Sequence, residues 1–262
     1  MITSIKNPKI KFVRDLLRGK RQREDAGLMV IEGVRLAEEA QKTTRKFSLC
    51  LYSSHLSARG KGLLEKLRGY SDEIEEVAPE LLDRVSDTGT SQGILLVAPI
   101  PKHRIPENAD LLLILDGLQN PGNVGTIFRS ANALGVQAVI TTPGTADVFA
   151  PKTLRAAMGA QFSLPIQTMD AAGIQDLCRT GFNLPVEIVA SRADCEKCCW
   201  ETDLSGPLAL VIGSEAHGVS GEITEIAAQC IRIPMREGVE SFNAAVSAAI
   251  LLYEIHRQRS SA

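Results

Sequence analysis

The stretch NPGNVGTIFRSANALG, residues 120–135, decides the fold of the larger part of the chain. It follows an almost wholly apolar run, DLLLILDG, residues 110–117. Within it Val124, Ile127, Phe128, Ala131 and Leu134 recur at helical spacing, so a strand passes into an amphipathic helix. The turn between them is built from Asn120, Gly122, Asn123 and Gly125. A strand-to-helix turn of that composition is a place where a ligand meets backbone. It fits no common nucleotide pattern, because Gly122-x-x-Gly125 lacks the P-loop lysine and is not G-x-G-x-x-G. A KH loop also uses G-x-x-G, but between helices. Arg129 lies on the far side of the apolar stripe, one turn after Gly125, which leaves room for something bulky to approach it. On spacing alone a solvent-facing arginine is the simpler account.

Further along, VQAVIT, VEIVAS, LALVIG and CIRIPM are apolar strands separated by helical stretches. Strands apolar on both faces belong in a parallel sheet covered by helices on both sides. The last helix, from Phe242 to about Arg257, is apolar nearly all round (Ala245, Val246, Ala249, Ile250, Leu251, Leu252, Tyr253). Such a helix is expected to be buried on more than one side, the second side being a subunit interface.

Upstream, APIPKHRIPENAD has three prolines, mixed charge and no periodicity, and reads as a linker. Before it come a basic amphipathic helix over PKIKFVRDLLRGKRQRE, strands LMVIEG, FSLCLYS and GILLVAP, and helical patterns between them. The expected division is therefore a smaller α/β domain at 1–97, a linker at 98–109 and a mostly parallel α/β domain at 110–262.

With 44% hydrophobic and 23% charged residues, the 262-residue chain has the composition of an ordinary soluble protein with a sizeable core. The net charge of −2 conceals an asymmetry: residues 1–23 hold eight basic side chains against Asp15, a local +7 on a body of −9. A basic arm suggests a polyanionic partner, although a solvated helix face explains charge alone equally well. MITSIKNPKIKFVRDLL lacks the apolar core of a secretory signal, and AAVSAAILLY falls short of a membrane span. A cytoplasmic location without membrane association is expected, with the six cysteines as reduced thiols.

Two further turns carry polar groups at strand ends. In LALVIGSEAHGVS, residues 208–220, Gly213 ends a strand and Ser214, Glu215, His217 and Gly218 follow before a helix capped by Ser220. His217 reads as a loop histidine. In IRIPMREGVESFNAAVSAAI, residues 231–250, Ser241 and Asn243 open the last helix. Capping explains Ser241 fully; Asn243 would lie inside an apolar helix and needs a hydrogen-bonding partner. CEKCCW places Cys195, Cys198 and Cys199 close together, but no second C-x-x-C or His pair follows, so no metal is expected and surface thiols are.

Together, NPGNVGTIFRSANALG, IGSEAHGVS and IPMREGVESFNAAVSAA, in this order, resemble the three motifs of the SpoU/TrmH family of RNA 2′-O-ribose methyltransferases in the SPOUT superfamily. The part containing IKNPKIK and LMVIEG is similar to the L30e-like RNA-binding domain of many members. The resemblance implies a trefoil-knotted site for S-adenosyl-L-methionine (AdoMet), no metal, and a homodimer through the C-terminal domain. It implies that Asn123, Arg129, Glu215, Ser241 and Asn243 are the catalytic set. Thr142, Gly144, Gly213, Ile233, Met235 and Phe242 would hold the cofactor, and Lys6, Lys9, Lys11, Arg14, Arg18 and Arg35 the RNA. Phe242 and Ala244 stand where the family more often has Leu and Val, and Gly238 is one place late; these departures touch packing around the cofactor.

The implied reaction is AdoMet-dependent 2′-O-methylation of a ribose, most readily in 23S-type ribosomal RNA, which the L30e-like domain favours over tRNA. A guanidinium is almost never neutral, so Arg129 is expected to hold a phosphate and stabilise the developing alkoxide. Ser241 and Asn243 would orient the ribose, and Glu215 would position the loop or the arginine across the dimer. A catalytically silent RNA-binding or ribosome-assembly protein on the same scaffold would have lost Arg129 or Asn243. A nucleotide-dependent oxidoreductase would need the dinucleotide fingerprint that is missing.

Overall fold

The computed structural model describes residues 1–43, 46–236, 238 and 241–260. The first hundred residues run α1 (Pro8–Arg18), α2 (Lys20–Ala26), β1 (Leu28–Glu32), α3 (Val34–Thr43), β2 (Leu49–Tyr52), α4 (Ala58–Leu67), β3 (Ile74–Glu76), α5 (Pro79–Val85) and β4 (Ile94–Pro99). There follow β5 (Leu111–Asp116), α6 (Pro121–Ala133), β6 (Ala138–Thr141), α7 (Pro151–Ala157), β7 (Ile166–Thr168) and α8 (Ala171–Thr180). The chain ends with β8 (Glu187–Ser191), β9 (Leu208–Gly213), α9 (Gly221–Ile226), β10 (Gln229–Ile231) and α10 (Ala244–Ser260). Among the described residues no helix is long and apolar enough to cross a membrane.

Two units emerge. The first comprises Met1–Pro101 together with Asp147–Ser163, and the second Lys102–Ala146 together with Leu164–Ala262. β4 runs through Pro99, two residues into the stretch expected as linker, and α7 clusters with the first unit although it lies between β6 and β7 in sequence.

The first unit has a four-stranded sheet in the order β1-β4-β2-β3. Alternation along β1 sends Met29 and Ile31 to one face and Val30 to the other. The Val30 face is covered by Ile10, Val13, Leu16 and Leu17 of α1, the opposite face by α3 and α4 with Leu154 and Phe162. Asn7 starts α1 by accepting the Lys9 amide at 2.9 Å, with Pro8 in the first turn. The single basic helix expected over residues 8–24 is two helices, because Gly19 adopts an extended conformation, with φ −111° and ψ 122°.

The basic arm also differs from expectation. Arg23 is buried, donating to the Leu16 carbonyl and, from Nε at 2.9 Å, to Asp147. Lys9 is paired with Glu73 and Glu75, which raise its pKa through hydrogen bonds. Lys6, Lys11 and Arg18 are exposed and Arg14 is half-buried.

Glu32, at the end of β1, is buried and accepts from Ser86 Oγ, from Thr88 Oγ1 at 2.6 Å, from the Asp87 amide at 3.3 Å and from Arg155 Nη1 at 3.0 Å. Glu32→Gln keeps the shape but removes the charge that Arg155 pairs with. It is expected to lower stability by about 1–2 kcal/mol, read as a lower urea midpoint at unchanged slope.

The second unit has six strands, all parallel, in the order β10-β8-β9-β5-β6-β7. Leu112, Ile114, Ala138, Ile140, Ile188, Ala190, Ala209 and Val211 share one core with Ile174 and Cys178 of α8 and Ile223 of α9. The intervening Leu113, Leu115, Val139, Val189 and Leu210 are also buried, as strands covered on both faces require. α10 packs on α6 and β9, burying Ala244, Ala245, Ala248, Leu251, Leu252 and Ile255. Its other face is open: Val246 and Tyr253 are 45% and 62% exposed, so the burial expected on a second side is not met within one chain.

Candidate active site

Open α/β sheets bind ligands beyond the carboxyl ends of their strands, and here four strands deliver polar residues to that edge. β5 ends at Asp116, which is buried. Its Oδ1 accepts from Thr142 Oγ1 at 2.9 Å and its Oδ2 from the Ser220 amide at 2.7 Å. Thr142 Oγ1 in turn accepts from the Gly117 amide at 3.0 Å. One carboxylate thus locks the loops after β5, β6 and β9 together.

A cavity of about 860 Å³ opens at this edge. Its walls are Ser191–Asp194 at the end of β8, Ile212–Glu215 and His217–Val219 at the end of β9, Gly221, Thr224 and Glu225 of α9, Ile233 and Met235 after β10, and Ser241–Ala244 with Ser247 at the start of α10. Gly213 lets the β9 loop double back: a Cβ there would lie 2.1 Å from the Gly218 carbonyl carbon and 2.2 Å from the Val219 nitrogen. The return is closed by Ser214 and Gly218, whose amides each donate to the other's carbonyl at 2.9 Å. Gly218, at φ +68°, makes the left-handed step of the turn.

At the edge of the cavity the three turns are joined by side chains. Asn120 caps α6, accepting the Gly122 amide at 2.8 Å. Asn123 donates through Nδ2 to Glu215 Oε1 at 2.7 Å and accepts through Oδ1 from Asn243 Nδ2 at 3.1 Å. Asn243 Oδ1 accepts the Ala245 amide at 2.9 Å. Asn243, not Ser241, therefore caps α10, which reverses the expected roles and supplies the partner that Asn243 needs.

Glu215, Ser241 and Asn243 line the cavity with Gly213, Ile233, Met235, Phe242 and the loop residue His217. Thr142 and Gly144 do not line it; Thr142 serves Asp116 and Gly117 instead. Arg129 does not line it either, and is exposed, with no hydrogen bond or ion pair among the described residues. Six residues on from Asn123, it lies about 9 Å along α6 and about 120° around it.

Sequence reasoning missed Asp116, Arg192 and Asp194. The signal was available for Asp116, a carboxylate closing an otherwise apolar strand, and for the other two in SRAD after VEIVA. Arg192 reaches Asp194 with two bonds, at 3.0 and 2.6 Å, which hold the Asp194 carboxyl below its ordinary value. Asp194, Glu215 and Glu225 against Arg192 leave the lining net negative.

The cysteines also depart from expectation. Cys195 and Cys230 are bonded to each other, with Cα atoms 5.7 Å apart, and Cys195, Cys198 and Cys199 are buried rather than at the surface. Cys50, Cys178, Cys198 and Cys199 are free; burial pushes Cys50 up to about 12 and Cys178 up to about 11.

Comparison with known proteins fits this geometry. Residues 110–253 match the SpoU rRNA Methylase family and residues 7–96 the MRM3-like substrate binding domain. The chain belongs to the SpoU methylase family. It is 31% identical to the 23S rRNA (guanosine(2553)-2′-O)-methyltransferase RlmP of Bacillus subtilis, over 97% of this chain and 98% of that one. It is 32% identical to the 23S rRNA (uridine(2479)-2′-O)-methyltransferase of Streptomyces viridochromogenes, over 99% and 93%. The crystal structure of the SpoU methyltransferase AviRb from that organism in complex with AdoMet superposes with a TM-score of 0.87 at 30% identity, covering 98% of this chain and 100% of that one.

Proposed function

We propose that this protein transfers the methyl group of AdoMet to the 2′-oxygen of a ribose in ribosomal RNA of the 23S type. The observation that carries the assignment is the hydrogen-bonded line Asn243–Asn123–Glu215, which joins three turns far apart in sequence beside one cavity. Relatives spanning nearly the whole chain act on 23S rRNA by name.

The cavity fits the donor. AdoMet supplies an electrophilic methyl carbon on a sulfonium cation, and a net-negative lining favours that cation. Ile212, Ile233, Met235 and Phe242 offer apolar contact. Asn123 and Asn243 hold Glu215 and the start of α10 in register. Ser241, in the cavity lining, would orient the ribose. The trefoil threading of the C-terminal segment belongs to this reading and rests on the likeness to solved SpoU structures.

The acceptor side is completed by a second copy. The open stripe of α10, Val246, Ala249, Ile250 and Tyr253, follows i, i+3, i+4, i+7 spacing and suits an isologous helix contact. Arg129, which does not line its own chain's cavity, then serves the cavity of the partner. There its guanidinium holds a phosphate and stabilises charge developing on the 2′-oxygen. Light scattering should give twice the 28.3 kDa chain mass, and a monomer would contradict this arrangement.

Region 1–97 acts as the substrate-binding domain, supported by its family match. Lys6, Lys11, Arg14, Arg18 and Arg35 have no side-chain partner among the described residues and remain candidates for phosphate contacts. Lys9 is committed to Glu73 and Glu75. The reading places the protein in the cytoplasm with its RNA.

Mass-spectrometric mapping of 2′-O-methyl nucleotides tests the assignment. Protein and labelled AdoMet would be incubated with unmodified large-subunit rRNA, small-subunit rRNA and bulk tRNA. One methylated ribose in large-subunit rRNA is expected. Label confined to tRNA would overturn the substrate, and AdoMet binding without label in any RNA would favour a silent scaffold.

A further inference from the structure

We propose that Cys195 and Cys230 form a reversible disulfide that ties two walls of the AdoMet cavity together, so that thiol oxidation tightens donor binding and reduction loosens it. This rests on the assignment of the cavity to AdoMet.

The position of the bond carries the inference. β8 and β10 are parallel neighbours, with Cys230 opposite Ala190 and Ile231 opposite Ser191. Beyond β8, Arg192, Ala193 and Asp194 form one wall of the cavity, and Cys195 is the next residue. Beyond β10, Ile233 and Met235 form another, and Cys230 is three residues before Ile233. The crosslink spans 35 residues of sequence and joins the roots of both walls.

Other ties leave the middle of the first wall to the disulfide. The Arg192 amide donates to the Ile231 carbonyl at 3.0 Å, and the Arg232 amide to the Lys197 carbonyl at 2.9 Å. Between these two anchors the chain is held to the β10 segment by the Cys195–Cys230 bond and by a long contact, 3.4 Å, from Arg232 Nε to the Glu196 carbonyl. Breaking the disulfide therefore loosens Ala193 and Cys195, with Asp194 then restrained by its pair with Arg192, and that freedom is lost again when the donor binds.

The pair is open to exchange, and its neighbour is not. Cys230 is partly exposed while Cys195 is buried, so an external reagent meets Cys230 first. Cys198, in the same CEKCC stretch, has its sulfur committed to the 3-10 turn Cys199–Glu201, where it accepts the Glu201 amide. Burial and the Glu201 hydrogen bond also push its thiol pKa up, against thiolate formation.

The exchange partner is a low-molecular-weight disulfide. The Cys230 thiolate attacks one of its sulfurs, forming a mixed disulfide and releasing one small thiol. The Cys195 thiolate then attacks Cys230 Sγ, closing the protein disulfide and releasing the second. The two protons lost by the cysteines end on the two small thiols. The protein is oxidised by two electrons and the small disulfide is reduced by two.

Isothermal titration of AdoMet into the full-length protein tests this after incubation with glutathione disulfide or with dithiothreitol, with peptide mapping of the bridge. Oxidised wild type is expected to bind roughly tenfold more tightly than reduced wild type, about the effect of ordering one backbone residue. Re-oxidation should restore the affinity. Cys230→Ser should bind like reduced wild type under both conditions, and Cys198→Ser should keep the full response. Equal affinities of oxidised and reduced wild type, or no Cys195–Cys230 bridge after glutathione disulfide, would overturn the proposal while leaving the AdoMet assignment standing. Ser247→Phe, which fills the cavity from α10, separates the two ideas: unchanged AdoMet affinity in this variant, with melting near wild type, would place the donor elsewhere and overturn both.

Discussion

Arg129→Ala is expected to lower kcat by about 10²–10³-fold while leaving AdoMet affinity within about twofold of wild type. The split follows from position. Arg129 stands on the exposed side of α6 and does not line the cavity, so the donor does not touch it in its own chain. A planar fork on a phosphate is not replaced by an ammonium, so Arg129→Lys should recover little. Single-turnover methylation with saturating AdoMet, alongside titration of the donor, measures both quantities. If the arginine works across the dimer, mixing subunits gives a sharper result. A heterodimer of one Arg129→Ala chain and one Ser247→Phe chain should regain a single working site, since an intact cavity then faces an intact arginine. Lack of activity in that heterodimer, with both homodimers inactive, would place the arginine in its own chain's site.

Gly213→Ala is expected to cost about 3 kcal/mol of stability or more and to abolish measurable AdoMet binding. The added methyl would meet main-chain atoms of Gly218 and Val219 at 2.1–2.4 Å, which no rotamer change relieves. The loop would have to leave β9, taking with it Glu215 and the paired amides of Ser214 and Gly218. Gly62→Ala is the matched control: nothing lies within 4 Å of the new methyl, and the residue sits within α4 and does not line the cavity. It should be neutral or slightly stabilising. Thermal melting with and without AdoMet compares the two; a Gly213→Ala protein that melts like wild type and still gains stability from the donor would sink the account.

Much of this was legible in the sequence because the signals were dense and local. LLLILD reads as a buried parallel strand because every side chain in it is apolar until Asp116, and β5 is buried throughout. The stripe Val124, Ile127, Phe128 and Ala131 reads as a helix face, and those four residues are buried. What escaped depends on partners distant in sequence. β7 is three residues of ordinary composition defined by pairing with β6. Arg23 looks like part of a basic surface until Asp147 is brought to it. The Cys195–Cys230 bond joins residues that spacing alone does not pair. Ser241 was the obvious cap, yet helix periodicity could not fix where α10 begins, and a start at Ala244 hands the cap to Asn243. In the same way, three turns could be picked out from composition, but the contact between Asn123 and Asn243 is a property of the folded sheet edge.

The segment Asp147–Ser163 has a consequence for how the protein is made. Synthesis proceeds from the N-terminus, and the first unit does not receive Leu154 and Phe162, which belong to its core, or the Asp147 that neutralises buried Arg23, until residue 163 has been added. By then β5 and β6 of the second sheet already exist as chain. A nascent chain stopped near residue 101 would leave a cationic group without its partner and one face of its sheet partly uncovered. The two halves are therefore interleaved along the chain, and a fragment ending at the proline-rich stretch is expected to be less stable than the complete unit, because it lacks part of its own core.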